Sequence, residues 1–86
     1  MRIIVPPALR SYTGEKNEVE GRGASLAEVL VDLDSRYPGM RFRIIDEQDS
    51  IREHIKIFIN QMQTKDIAIR LNQDDKILII CALSGG

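Results

Sequence analysis

The clearest hydrophobic pattern in the chain begins after Ser25. Four apolar residues follow at i, i+3, i+4 and i+7, which places them on one side of a helix: Leu26, Val29, Leu30 and Leu33. Ser25 and Glu28 match the S-x-x-E capping box, in which the hydroxyl accepts from the Glu28 amide and the Glu28 carboxylate reaches back. Residues 37–39, Tyr-Pro-Gly, end the helix because proline disfavours helical geometry in the residue before it. The pattern predicts a helix of about three turns with one face on a sheet.

Two segments near the ends of the chain are apolar on successive positions. They are residues 2–5 and residues 76–81. Runs of this kind indicate strands that are covered on both faces. We therefore expect residues 76–81 to be a central strand and residues 2–5 to lie beside it.

A hairpin is predicted in the first quarter of the chain. Pro6 and Pro7 remove two backbone donors, and pairing is expected to resume at residues 8–10. Residues 11–16 are rich in turn formers, and Glu18-Val19-Glu20 alternates polar and apolar as an exposed return strand does.

The second half of the chain predicts shorter elements. Residues 40–50 suit a short helical turn or an irregular loop, and residues 55–59 read as a third strand with Asn60-Gln61 as its turn. Residues 67–71 indicate a short edge strand or a 3₁₀ turn. The order of elements predicts an α+β fold of the β-grasp (ubiquitin-like) type, with a mixed sheet of four to five strands and one main helix across one face.

Composition narrows the class of protein. The 86 residues hold one domain, because a compact domain usually takes about 100–200 residues. A net charge of -1 gives no electrostatic footprint for nucleic acid or an anionic membrane. The single cysteine, Cys81, excludes an intrachain disulfide and a multi-cysteine zinc site. No stretch approaches the roughly 20 apolar residues of a membrane span. One cysteine and one histidine are too few for a metal site, and a fold held by packing without disulfides predicts a cytoplasmic protein.

The end of the sequence carries the candidate chemistry. We expect residues 1–82 to form the domain and residues 83–86, Leu-Ser-Gly-Gly, a flexible tail that extends about 13 Å at about 3.3 Å per residue. Glycine has no Cβ, so Gly85 and Gly86 can thread a narrow channel of another protein. Adenylation by ATP would turn the terminal carboxylate into a mixed anhydride open to sulfide, a thiol or an amine. The plain alternative is a floppy chain end.

The chain resembles the ThiS/MoaD family of β-grasp sulfur carrier proteins over nearly its whole length. The resemblance rests on size, element order, the strand at residues 55–60, the Asp75-Lys76-Ile77 entry to the last strand and the terminal Gly85-Gly86. The CysO-type branch, which partners cysteine-synthase-like enzymes, is the most similar. Its signature segments here are Leu9-Arg10, Tyr12-Thr13-Gly14, Tyr37-Pro38-Gly39 and Arg52-Glu53-His54-Ile55.

The resemblance implies a carrier that is a co-substrate of other enzymes. Gly86 would be adenylated by an adenylyltransferase and sulfurtransferase related to ubiquitin-activating enzymes and converted to a thiocarboxylate, while Leu83, Ser84 and Gly85 thread the tail into the partner. The sulfur would pass to an acceptor such as a cysteine-synthase homologue. No cofactor is bound by the carrier, and ATP is used by the activating enzyme. We expect a monomer when the chain is free.

Two positions depart from the family. Many relatives carry Pro-Ala-Val-Ala before the two glycines, whereas this chain has Cys81-Ala82-Leu83-Ser84, so an N–H donor replaces proline just before the tail. Relatives also often have Gly after the asparagine that ends the third strand, where this chain has Gln61.

Other reactive side chains favour ordinary roles. We interpret Cys81 as a small hydrophobe and the lone His54 as a solvated surface residue. The acidic pairs Asp46-Glu47 and Asp74-Asp75 suit turns rather than acid/base catalysis. Four basic residues could bind an acidic surface of a partner, but a scattered, solvated arrangement is favoured for them: Arg41, Arg43, Arg52 and Lys56. Met62 suits either an exposed position or the core.

Three other functions remain compatible with the sequence. A ubiquitin-like modifier would use the same activated tail to form isopeptide bonds with lysines of target proteins. The small subunit of a molybdopterin-synthase-like complex would bind a larger catalytic subunit. A plain interaction domain would be indifferent to the loss of Gly85-Gly86.

Overall fold

A computed structural model describes residues 1–82. A 3₁₀-helix at Pro7–Thr13 follows the first strand, and the helices are α1 (Leu26–Arg36) and α2 (Met40–Ile44). The strands are β1 (Arg2–Ile4), β2 (Glu18–Glu20), β3 (Ile55–Ile59), β4 (Met62–Thr64) and β5 (Lys76–Cys81).

The described strands form one mixed sheet in the order β2-β1-β5-β3-β4. β5 is central and runs parallel to β1, while β1–β2, β3–β4 and β3–β5 are antiparallel. Ile77 pairs with Ile3 on one side, and Ile79 pairs with Ile57 on the other. The topology confirms the predicted β-grasp class, the hairpin of the first two strands and the pairing of the first strand with the last.

The core lies between α1 and one face of the sheet. The predicted stripe of α1 is buried, with each of its four apolar residues at most 1% exposed, and it packs with Ile3, Ile57, Ile77 and Ile79. The helix begins as predicted, because the Glu28 amide donates to Ser25 Oγ at 3.3 Å. The Glu28 carboxylate accepts from the Ala24 amide at 3.1 Å, one residue earlier than in a standard capping box.

The expected resumption of pairing at residues 8–10 is wrong. These residues belong to the 3₁₀-helix, which begins with Pro7 and includes a bond from the Leu9 amide to the Pro6 carbonyl at 3.0 Å. Proline has its φ preset for the first turn of a helix and needs no donor there. Leu9 is 2% exposed, so the segment adds a core side chain rather than a strand.

The prediction that the first and last strands are covered on both faces is also wrong. Burial alternates along β5: Ile77 and Ile79 are buried, whereas Leu78 is half-buried and Ile80 is 37% exposed. Ile4 in β1 is likewise only half-buried. The reason is that both helices lie on one face of the sheet, and no other element of residues 1–82 covers the opposite face.

The predicted edge element at residues 67–71 is replaced by β4, which follows the Asn60-Gln61 turn. Asn60 and Gln61 both have positive φ, 50° and 76°, which is typical of a two-residue type I′ hairpin turn even without glycine. Residues 67–71 begin in a turn, closed by the Ile69 amide donating to the Asp66 carbonyl at 3.3 Å, so of the two predicted forms the turn is the closer one. They also make one isolated bridge, between Arg70 and Ser25. The Ile69 and Ile67 carbonyls accept hydrogen bonds from the Leu26 and Ala27 amides at 3.1 and 2.8 Å. The segment therefore provides acceptors for amides of the first turn of α1, which have no partner within the helix.

Residues 40–50 form a short helix followed by a turn. Of the two predicted forms, a helical turn or an irregular loop, the helix is the one present, and Met40, Ile44 and Ile45 are completely buried in the core. Phe42 points the other way and is 56% exposed.

Candidate functional site

The predicted site residues Leu83, Ser84, Gly85 and Gly86 lie outside the described residues. The structure does show where the domain passes into them. The Ala82 amide donates to the His54 carbonyl at 2.7 Å, which adds one bond beyond the last residue of β5. The chain therefore leaves the domain at the end of its central strand, next to the start of β3.

Cys81 is the last residue of β5 and pairs with Ile55. It is half-buried and packs against the hydrophobic core, which agrees with its interpretation as a small hydrophobe. The residue that stands where relatives have proline therefore continues the strand up to the start of the tail.

The uncovered face of the sheet presents a row of apolar side chains beside the exit of the tail. Leu78 lies between Ile4 and Phe58 in the register, and Ile80 lies one step further towards the tail. We call Ile4, Phe58, Leu78 and Ile80 the outward apolar face. An open cleft of about 520 Å³ runs across part of it, lined by Phe58, Asn60, Gln61, Lys76, Leu78 and Ile80.

Charged side chains surround the outward apolar face. Lys56 and Lys76 are exposed on the same side of their strands as Phe58 and Leu78. Each lysine stands two residues before an apolar residue of the outward apolar face, and this polar position within each strand was the signal in the sequence that the strands are covered on one face only. At the β1–β2 edge, Arg2 donates to both carboxylate oxygens of Glu18 at 3.0 and 3.1 Å. This hydrogen bond is the main cause that lowers the pKa of Glu18 and raises the pKa of Arg2.

The four predicted basic residues do not form one cluster. Arg41 pairs with Asp49 at 3.1 Å, and Lys56 lies next to the outward apolar face. Arg43 and Arg52 share a cleft of about 230 Å³ with Phe42 and the exposed His54. The sequence alone did not indicate that Phe42 belongs to this group, because its position beside Arg52 depends on the packing of α2.

The acidic pairs lie in turns, as predicted. Asp46 accepts from the amides of Gln48 and Ser50 at 2.9 and 3.0 Å. Asp75 has a wider role than a local turn, because it also accepts from the side chain of Asn60, 15 residues away. Met62 is 75% exposed at the sheet edge, so of its two predicted positions the exposed one is correct.

Among residues 1–82, no three His, Cys, Asp or Glu side chains come together as a metal would require. The helices found there are too short and too polar to cross a lipid bilayer.

Comparison with known proteins identifies the same group of relatives by sequence and by fold. The ThiS family model matches residues 3–86. The sulfur carrier protein CysO of Mycobacterium tuberculosis is 27% identical over 89 residues, which cover 98% of this chain and 96% of the relative.

Two solved structures of CysO proteins superpose closely. The Amycolatopsis orientalis BexX/CysO complex contains a chain with a TM-score of 0.90 and 26% identity, covering 99% of this chain and 98% of that one. The crystal structure of M. tuberculosis CysO gives a TM-score of 0.89 at 24% identity, with 95% and 98% coverage. Because the family model spans nearly the whole sequence and the topology agrees with it, the chain belongs to the ThiS family and has the ubiquitin-like β-grasp fold of its sulfur carrier proteins.

Proposed function

We propose that this chain carries sulfur as a thiocarboxylate on its C-terminal Gly86. The observation that supports this most is the exit of the chain: Ala82 is held by His54 at the end of the central strand, and the sequence continues as Leu83-Ser84-Gly85-Gly86. A rigid strand followed by four residues, two of them without side chains, suits delivery of a carboxylate into a partner's active site.

The proposed chemistry takes place in two steps on the terminal carboxylate. A carboxylate oxygen of Gly86 attacks the α-phosphorus of ATP, and pyrophosphate leaves. The sulfur of a sulfide donor then attacks the Gly86 carbonyl carbon, and AMP leaves with the oxygen that bridged it. Glycine leaves this carbonyl sterically open. The catalytic groups belong to the partner, an adenylyltransferase and sulfurtransferase related to ubiquitin-activating enzymes, and the carrier acts as its co-substrate.

The acceptor we propose is an enzyme that uses the sulfur to make cysteine or another small sulfur metabolite. The support is the similarity to proteins named CysO over nearly the full length, one of them solved in a complex with a second protein, BexX. A cysteine-synthase homologue is the proposed acceptor for this chain.

The outward apolar face is the proposed contact surface for the activating enzyme. It lies on the strand that leads into the tail, and Ile80 is only two residues before Ala82. An enzyme that takes up the tail binds close to this face, and burial of its half-exposed apolar side chains would favour association.

The test is the intact mass of the protein purified from its own cells under conditions that preserve a thioacid. The expected result is a fraction whose mass is raised by the exchange of one oxygen for sulfur, localised to Gly86 by fragmentation. A variant lacking Gly86 is the control and should not show the shift. Unmodified protein together with larger conjugates that vanish in the control would contradict the proposal and favour a protein modifier.

A further inference from the structure

Arg52 stacks on Phe42 at the surface, two residues before His54. Its guanidinium lies 4.5 Å from the centre of the Phe42 ring, and its Nε donates to the Phe42 carbonyl at 2.7 Å. Stacking and this hydrogen bond fix the plane of the guanidinium. The contact also gives a role to a phenylalanine that is 56% exposed, since its ring supports the arginine rather than the core.

The positive charge at this place is not compensated within the described chain. Arg2, Arg36 and Arg41 each pair with a carboxylate, whereas among residues 1–82 neither Arg43 nor Arg52 makes an ion pair. Both line the cleft of about 230 Å³ that Phe42 and His54 complete. Two guanidinium groups with free N–H donors in one cleft form a site for carboxylate or phosphate oxygens.

The cleft is adjacent to the exit of the tail. His54, one of its lining residues, accepts the bond from the Ala82 amide at 2.7 Å. The four tail residues span about 13 Å at most, at about 3.3 Å per residue, so a partner that reacts with Gly86 must come within that distance of Ala82. The cleft therefore lies within reach of the surface around the mouth of its channel.

We propose that Arg43 and Arg52 bind acidic side chains at the channel mouth of the enzyme that activates the tail. The inference rests on the proposed function, and it specifies the activating enzyme because activation is the step that precedes every transfer. Charges at the rim of an interface mainly steer association and set its salt dependence. The site therefore contributes to the affinity for the enzyme and takes no part in the chemistry of Gly86.

The experiment measures adenylation of the full chain by its purified activating enzyme, with pyrophosphate release followed at several chain and salt concentrations. The double variant Arg43→Ala/Arg52→Ala is compared with Arg22→Ala/Arg70→Ala, which removes the same charge from exposed positions elsewhere. We expect about a tenfold higher KM for the first variant, an unchanged kcat and a weaker salt dependence of kcat/KM. Phe42→Leu keeps both charges but removes the ring support, and we expect about a threefold higher KM. Unfolding midpoints close to that of the wild type show that the variants are folded.

The other outcomes separate this inference from the proposed function. A KM equal to that of the control variant, with the wild type adenylated normally, overturns the docking site and leaves the carrier function intact. Unchanged KM together with saturable binding of inorganic phosphate at the Arg52 Nε resonance shows a site for a free anion and also overturns it. A wild-type chain that the enzyme does not adenylate overturns the proposed function and this inference with it.

Discussion

Asn60 and Asp75 connect the turn after β3 to the turn before β5. Asn60 Nδ2 donates to Asp75 Oδ1 at 2.7 Å, and the other carboxylate oxygen of Asp75 accepts from the Asn72 amide at 2.8 Å. The Lys76 amide donates to Asn60 Oδ1 at 3.0 Å, and the Asn60 amide donates to the Lys76 carbonyl at 2.9 Å. These bonds fix the register of β3 against the central strand, and so the position of the strand that leads into the tail.

Replacement of Asp75 tests this connection. Asp75 is only 9% exposed, and Asp75→Ala removes the carboxylate that accepts from the Asn60 side-chain amide and the Asn72 backbone amide. The loss of these two bonds should lower the free energy of unfolding by about 1–3 kcal/mol. The neighbouring exposed residue provides the control, since Asp74→Ala should change it by less than about 0.5 kcal/mol. Urea unfolding measures both, and equal stability of the two variants would show that the connection contributes little.

Truncation of the α1 stripe tests the core. Leu30 is 1% exposed, and Leu30→Ala should lower the free energy of unfolding by about 2–5 kcal/mol because it leaves a cavity. Val31, the next residue of the same helix, is 57% exposed. Val31→Ala should therefore have only a small effect, and thermal unfolding of the two variants side by side measures the difference. A Leu30→Ala variant that melts with the wild type would contradict the packing of α1 on the sheet.

Changes at Gly86 test the proposed chemistry directly. Deletion of Gly86 should abolish adenylation, and Gly86→Ala should slow it because a Cβ crowds both the carbonyl and the channel. The measurement is pyrophosphate release with the activating enzyme. Both variants should unfold like the wild type, because the change lies four residues beyond Ala82. Normal sulfur transfer from the deletion variant would refute the carrier mechanism.

A charge on the outward apolar face tests its role in docking. Ile80 is 37% exposed, so Ile80→Glu places a carboxylate on the open side of β5 without entering the core. We expect at least a tenfold loss of kcat/KM for adenylation, since burial of the new charge in the contact is unfavourable. Val31→Glu, which adds the same charge on the helix side, is the control. Equal kinetics of the two variants would place the contact elsewhere.

The ion pair between Arg2 and Glu18 gives a pH dependence of known sign. The pKa of Glu18 is lowered from its ordinary 4.5, first because Arg2 donates a hydrogen bond to it. A lowered pKa in the folded state adds stability above the unfolded pKa, and this contribution is lost as the pH falls through the folded value. Wild type should therefore melt slightly above Glu18→Gln at about pH 7, and the difference should shrink as the pH falls below 4.5 and through the lowered folded pKa. A gap that widens in acid would contradict the assignment.

Local patterns predicted the elements whose signals lie within a few residues. The capping box at Ser25, the stripe through Leu33 and the stop at Tyr37 defined α1 correctly, since caps and helical spacing act over single turns. The β-grasp order also followed from the sequence, because the apolar runs of β1, β3 and β5 are separated by clear turns. The residues of the tail were predicted from chemistry and resemblance, and they lie outside the described residues.

The sequence by itself determined α1, the β-grasp class and the pairing of the first strand with the last. Only the tertiary structure decided which apolar residues are covered, because an apolar run such as residues 76–81 has the same composition whether one or both faces are buried. It also decided that Arg52 lies over Phe42, and that Asn60 meets Asp75. Each of these relationships joins residues ten or more positions apart, and such contacts form only when the packing of helices and strands brings distant segments together.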